Sequence, residues 1–327
     1  MLSLLDPAVL FFLVGLFAGL VRSNLDIPPA ISRFLALYLL MALGLKGGLS
    51  LAETGFTTEV MTILGLAILL AMVTPVLGFL LLRRVTQPFN AIAIAATYGS
   101  VSAVTFITAN QFLDRLGVEH GGYMAAAMAI MESPAIIFAV LMANLVRKGR
   151  LGGPQGIETA PHPGGIRQTL HESFTDGAQL LLLASMVIGY YMGPEGAAAM
   201  KPFSADLFKG MLAFFLLDMG LLAARNLGGL RGQSPMLLVY AATIPAVHAV
   251  VAIVLGLWAG LSVGDTTLLA VLAASASYIA VPAVLREAIP EADSAVYVGL
   301  SLGLTFPINI LFGIPSFYWL THTLAAL

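Results

Sequence analysis

The sequence predicts an all-α membrane protein: ten transmembrane helices in two inverted five-helix repeats, with broken helices in the fourth and ninth segments. Three observations predict it. Of 327 residues, 59% are hydrophobic and only 10% charged, whereas a soluble domain carries about 25% charge. Too few polar groups remain to cover a water-facing surface, so the bilayer is the solvent. Ten apolar segments can then be counted, five on each side of one long polar stretch. Finally, each half carries a matching interruption. Gly99-Ser100-Val101-Ser102 recurs about 175 residues later as Ala274-Ser275-Ala276-Ser277.

The first segment, residues 8–21, begins after Asp6-Pro7, a helix-start signal. The N-terminus has no positive region ahead of this run, so it reads as the first span rather than a cleaved signal peptide. The second segment (30–50) follows Pro28-Pro29, and the third (60–82) contains Pro75. The fourth (89–112) contains the Gly99 to Thr105 stretch, and the fifth (121–146) contains Glu132-Ser133-Pro134. Residues 148–173 form the one long polar segment, with Gly152-Gly153-Pro154 and Gly164-Gly165, and read as a linker between repeats 1–147 and 174–327. The second half repeats the plan: segments at 177–192, 207–222, 235–261, 266–285 and 296–320.

The internal match extends beyond segment count. Residues 38–44 (YLLMALG) resemble 214–220 (FFLLDMG), Pro75 is echoed by Pro245, and Pro134 by Pro307. Lysine and arginine mark cytoplasmic loops. Eleven of the 15 basic residues lie near loops after odd-numbered segments; Lys46, Arg115, Lys201 and Lys209 do not. This places the linker in the cytoplasm and both termini in the periplasm. Five spans per half is an odd number, so the halves insert upside down relative to each other, as in many secondary transporters.

Several classes are excluded. The net charge is −2 and no basic tract suggests nucleic acid. Zero cysteines remove disulfides, thiol catalysis and Cys-based metal sites. No phosphate-binding loop is present, and no nucleophile–base set has recognisable spacing, so neither ATP-driven transport nor enzymatic activity is expected, and no cofactor.

The matched breaks carry the functional expectation. Interrupted segments at corresponding positions of two halves point to a transporter's binding site. Glycine tolerates an unwound backbone, and the following half-helix offers N–H groups and a positive dipole end. Ser100, Ser102 and Thr105 add hydroxyls on one side, Ser275 and Ser277 on the other. With Val101, Ala276 and Tyr278 they outline a site for a small monovalent oxyanion. The alternative is that the serines bond back to carbonyls one turn earlier and merely bend their helices. Ionisable groups inside spans are functional hypotheses: Glu132 as ligand to a coupling cation or as a proton carrier, and Asp218 either inside the membrane or paired with Arg225. His248 reads as a hydrogen-bonded structural residue, and Lys46 as a lysine that snorkels to the outer surface. Asn110, Asn144 and Asn309 read as inter-helix hydrogen bonders, with Asn309 the nearest to the second break.

At these residues the chain resembles the sodium-dependent bicarbonate transporter family of cyanobacteria and other bacteria. The resemblance rests on Gly44-Leu45-Lys46-Gly47-Gly48, Gly99-Ser100-Val101-Ser102, Glu132-Ser133-Pro134 with Ala143-Asn144, Ile244-Pro245-Ala246-Val247-His248, Ala273 to Ser277, Ala288-Ile289-Pro290 and Ala295 to Gly299. It implies core and gate domains, a homotrimer in the bacterial inner membrane, and sodium-coupled bicarbonate uptake by elevator-like movement of the core, with Na+ near Ser102, Ser277 and Glu132. It also implies a cytoplasmic regulator of the PII type. The chain departs from the cyanobacterial pattern at two positions: Tyr278 stands where those transporters carry an aspartate, and Ala280 where they carry a serine. A proton-coupled or uncoupled carrier or channel for another small anion or carboxylate is the alternative.

Overall fold

The computed structural model describes residues 6–148, 177–230 and 232–327, and every regular element among them is helical. The linker expected at 148–173, apart from Lys148, lies outside the described residues.

Helix α1, Pro7–Leu20, starts where Asp6 accepts the Ala8 N–H at 2.8 Å. Helix α2, Pro29–Thr54, follows the Pro28 break and ends at Gly55, whose φ of 72° stops the helix. Thr57 caps α3, Thr58–Leu82, which keeps Pro75 in its interior. The fourth segment divides into α4, Pro88–Gly99, and α5, Ala103–Leu116. Helix α6 is Met124–Arg147, with Pro134 inside.

Helix α7, Gly177–Lys201, bends at Gly193 and runs past the expected end at 192, because glycine reaches φ 64° there and lets a second helical stretch follow. Helices α8, Phe208–Asn226, and α9, Pro235–Trp258, come next, the latter containing Pro245. The ninth segment divides into α10, Val263–Ala274, and α11, Ala280–Ala288. The last helix, α12, spans Ser294–Ala325. It carries wider π turns at Gly299–Thr305 and Asn309–Gly313, on either side of Phe306-Pro307. These turns absorb the proline without interrupting the helix.

Among the described residues, seven helices are long and apolar enough to cross a membrane: Pro29–Thr54, Thr58–Leu82, Pro88–Leu116, Met124–Arg147, Glu195–Leu230, Pro235–Trp258 and Ser294–Ala325. Pro7–Leu20, Gly177–Gly193 and Val263–Ala274 are shorter apolar helices.

Packing sorts the helices into two groups. Helix α1 lies along α8 and α2 along α7, and in both pairs glycines on each partner let the backbones touch. A Cβ at Gly15 would stand 2.0 Å from the Leu217 carbonyl oxygen, and one at Gly220 2.2 Å from that of Phe12. In the other pair, Gly48 meets the Met186 carbonyl and Gly189 that of Leu45 in the same way. Small residues at helix interfaces are the usual source of close packing in lipid, where burial gives no hydrophobic gain. The other group places α3 against α4 and α6, and α9 against α10 and α12.

Candidate functional site

The two breaks meet. After Gly99 the chain turns extended, with Ser100 at φ −106°, ψ −177° and Ser102 at φ −109°, ψ 112°; after Ala274, Ser275 does the same at φ −80°, ψ 162°. The extended stretches cross and satisfy one another. The Ser102 N–H donates to Ser275 Oγ at 2.9 Å, and the Ser277 N–H donates to the Thr97 carbonyl at 2.9 Å. Ser275 Oγ in turn donates to the Leu272 carbonyl at 2.8 Å, the backward bond open to any helical serine.

The second serine of each break caps the half-helix that follows. Ser102 Oγ accepts from the Thr105 N–H at 3.2 Å and from Thr105 Oγ1 at 3.0 Å. Ser277 Oγ accepts from the Val281 N–H at 3.2 Å. A hydroxyl that accepts from a helix terminus still has its own hydrogen to donate. Capping therefore turns both serines into oriented donors at the positive ends of α5 and α11.

Those donors share a cavity of about 100 Å³ with Val101, Tyr278, Glu132 and Gln179. That is room for a few waters, or for a solute of about four heavy atoms. Leu39 and Leu40 of α2, Leu182 of α7 and Phe215 of α8 close its far side. The Tyr278 hydroxyl sits beside Ser102 without the geometry of a hydrogen bond, and its ring packs edge-on against Phe306 at 5.1 Å.

The structure thus brings Val101, Ser102, Ser277, Tyr278 and Glu132 together. The other expected residues stand outside the lining. Gly99 lies against α3, where an added Cβ would stand 2.6 Å from Pro75 Cβ. Ser100 is buried, its hydroxyl without a hydrogen-bond partner. Ser275 and Thr105 hold the crossing and the cap, and Ala276 is packed among apolar side chains. Asn309 donates to the carbonyl of Ala274, the last residue before the second break, at 2.8 Å. Asp218 is buried on α8 near Ser32 and does not line the cavity; it does not pair with Arg225, whose guanidinium meets Asp26 at 3.0 Å.

Two structural readings need correction. Lys46 does not simply snorkel: its ammonium meets Asp114 at 2.9 Å, and Asp114 also meets His120 Nε2 at 3.0 Å. Asn110 bonds back within α5, to the Phe106 carbonyl at 2.8 Å, rather than across to a neighbour. A side-chain amide four residues on from a carbonyl reaches it more easily than it reaches another helix.

Gln179 and Phe215 were not foreseen. Gln179 donates to the Ala129 carbonyl of α6 at 3.1 Å from the first turn of α7. A buried amide at the start of an apolar run was the available signal. Asp265 was also missed. It is buried and accepts from the Gly121 N–H at 2.7 Å and the Tyr123 hydroxyl at 2.8 Å, tying α10 to the turn before α6. Ser262-x-x-Asp265, a capping-box pattern, announced it.

Chemically, the cavity offers two hydroxyl donors at helix N-termini and one carboxylate, all oxygen-bearing groups. Hydroxyl and carboxylate oxygens also fit a hard cation. Among the described residues no three His, Asp or Glu side chains cluster as a metal centre would require. No curated protein matches the chain. A family model described as the Na+-dependent bicarbonate transporter superfamily matches residues 7–322, a span that includes every helix of the cavity. The crossed breaks, the shared cavity and that near-complete match lead to one conclusion: the chain belongs to the Na+-dependent bicarbonate transporter superfamily.

Proposed function

We propose that the protein is a secondary transporter that takes up bicarbonate, coupled to sodium, through a ten-span inverted repeat in the bacterial inner membrane. The observation that carries this reading is that Ser102 and Ser277, one from each break, line one small cavity with Glu132. Neutral donors hold a monovalent oxyanion without trapping it, because they add no full opposite charge. The Glu132 carboxylate and the serine oxygens supply the oxygen ligands that sodium takes.

The repeat is supported by the way the helices pair. Three shorter apolar helices beside the seven long ones give ten spans. Each half contributes one helix to each glycine-lined pair, α1 with α8 and α2 with α7. Helices α3–α6 and α9–α12 carry the breaks and form the core, while α1, α2, α7 and α8 form the gate. The gate side of the cavity is apolar apart from Gln179. A solute held by the core therefore breaks few polar bonds as the core slides, which suits elevator-type movement.

The charged ties between core and gate gather at one membrane face, where α1 begins and α2 ends, while Gln179 bonds Ala129 at the cavity and the Asn226 end of α8 packs on Gly303 of α12. Arg115 meets Asp6 at 3.2 Å, Lys46 meets Asp114, and the Gly122 N–H donates to Ser50 Oγ at 3.0 Å. The cavity lies nearer the opposite ends of α2 and α7. Charge placement makes the ion-paired face periplasmic. A homotrimer and a PII-type cytoplasmic regulator are carried over from the family resemblance, and both termini are placed in the periplasm by the charge bias.

The test is labelled-bicarbonate uptake into proteoliposomes with and without an inward sodium gradient. Accumulation that needs the gradient supports the reading. Sealed vesicles holding folded protein and showing no accumulation would remove it. A second reading, carriage of another small carboxylate by proton coupling or without coupling, is favoured by Tyr278, an aromatic at the cavity wall where the family pattern has an acid. The same vesicles with a pH gradient and small carboxylates separate the two.

A further inference from the structure

Away from the site, a groove of about 270 Å³ runs between α3 and α9. Leu70, Leu77 and Leu81 line it from α3, and Ile244, Val247 and Val251 from α9. Its origin is visible in the packing. Helix α3 is drawn toward α4 and α6, and α9 toward α10, so the two splay apart and touch only lightly. They meet near Gly78, where an added Cβ would stand 2.8 Å from the Tyr240 hydroxyl.

Size and place decide the occupant. From Leu70 to Leu81 is eleven residues, about 16 Å along a helix, or one leaflet of a hydrocarbon core about 30 Å thick. A volume of about 270 Å³ spread over that length is a slot about 17 Å² in section. That admits a single hydrocarbon chain, whereas a helix about 10 Å across needs about 80 Å². At the end of α3, directly beyond Leu81, stand Arg83 and Arg84. Both are exposed, and neither forms an ion pair among the described residues. Two unpaired guanidinium groups at headgroup depth match a phosphate in charge and geometry.

We infer that the α3–α9 groove is a binding site for an anionic phospholipid, with one acyl chain in the slot and the headgroup phosphate on Arg83 and Arg84. The lipid wedges the two splayed helices of the core at the side opposite the gate.

The experiment is native mass spectrometry of the full chain, released from detergent after equilibration with dioleoyl phosphatidylglycerol or dioleoyl phosphatidylcholine. The wild type should retain phosphatidylglycerol at least fivefold over phosphatidylcholine. Arg83→Gln with Arg84→Gln should bring that ratio to about one, and Leu77→Trp, which fills the slot, should lower retention of both lipids. Equal retention of the two lipids by the wild type, or an unchanged ratio in the double arginine variant, would overturn the assignment. A second copy covering the groove is the competing occupant. Because the chain has no cysteine, Leu81→Cys reports it cleanly: disulfide-linked dimers in membranes would also overturn the assignment. Unchanged oligomeric mass in each variant shows that folding is intact.

Discussion

The two breaks are copies in sequence but not in construction. At a constant offset Ser100 meets Ser275 and Ser102 meets Ser277, yet the partners do different work. Ser102 is the N-cap of a 14-residue helix and takes two hydrogen bonds from Thr105. Ser277 reaches over two further residues to cap a 9-residue helix whose own N-cap, Ile279, makes no side-chain bond. Ser275 accepts the crossing bond from Ser102, while Ser100 is buried without a partner. Gly99 is pressed onto Pro75, but Ala274, its counterpart, carries its methyl without difficulty. The first break is therefore the more fully capped one, and each break donates one N–H to the other to set the crossing.

The largest effect expected is on the pair of hydroxyls that face the cavity. Loss of a hydrogen bond to a charged partner costs about 1.5–3 kcal/mol, so Ser102→Ala and Ser277→Ala should each lower uptake roughly ten- to hundredfold. Stability should separate them. Both changes remove a capping bond, but Ser102 accepts two and caps the longer helix, so with a cap worth about 1 kcal/mol Ser102→Ala should lower the melting temperature more than Ser277→Ala. Equal melting temperatures would erase the distinction drawn between the breaks, and wild-type uptake in both would remove the site.

Gly99→Ala tests the close approach. Forcing a methyl against Pro75 should cost about 1–3 kcal/mol, seen as a lowered melting temperature. The reverse change, Ala274→Gly, should cost about 1 kcal/mol or less. A larger loss at Ala274 would show that the second break, not the first, is the tightly built one.

Glu132 sharpens the contrast further. At the offset that relates Pro134 to Pro307, its counterpart is Thr305, which bonds Tyr98 at 2.6 Å and the Ala241 carbonyl at 2.8 Å. One member of the pair lines the cavity and the other holds helices together. Glu132→Gln should raise the sodium concentration for half-maximal uptake by about tenfold, the worth of one charge-assisted contact, with a smaller change in bicarbonate affinity. An unchanged sodium profile would remove Glu132 from coupling.

Much of this was legible in the sequence because membrane helices announce themselves by composition and their interruptions by residues a lipid-facing helix has no use for. Gly99-Ser100-Val101-Ser102 marked one break to the residue, and Asp6-Pro7 marked the first helix start. What was not legible was direction. Ser100 and Ser102, two apart, would point to the same side of an ideal strand; the turn into α5 sends the second hydroxyl to cap a helix and leaves the first behind. Asp218 reads like Glu132 on paper, but the helix it rides on keeps it near Ser32 and away from the cavity lining. Gln179 was hidden because its value lies in a contact with Ala129, fifty residues earlier. Such long-range contacts are fixed by packing, which no local pattern records.

The smallest effect is the most diagnostic. Tyr278 has Ala103 as its counterpart, so the second break places an aromatic ring where the first has a methyl. Its hydroxyl is buried without a hydrogen-bond partner, and its ring is held by Phe306. Removing a buried hydroxyl that bonds to nothing is close to neutral for stability, so Tyr278→Phe should leave the melting temperature nearly unchanged. If that hydroxyl completes the anion's shell, the same change forfeits about 0.5–1.5 kcal/mol, a two- to tenfold rise in the bicarbonate concentration for half-maximal uptake. An unchanged affinity would reduce Tyr278 to a wall, and the oxyanion would then rest on Ser102 and Ser277 alone. A weakened affinity would mean that the bulkier break contributes a donor its twin lacks, and that the two halves, though copied, hold their solute unequally.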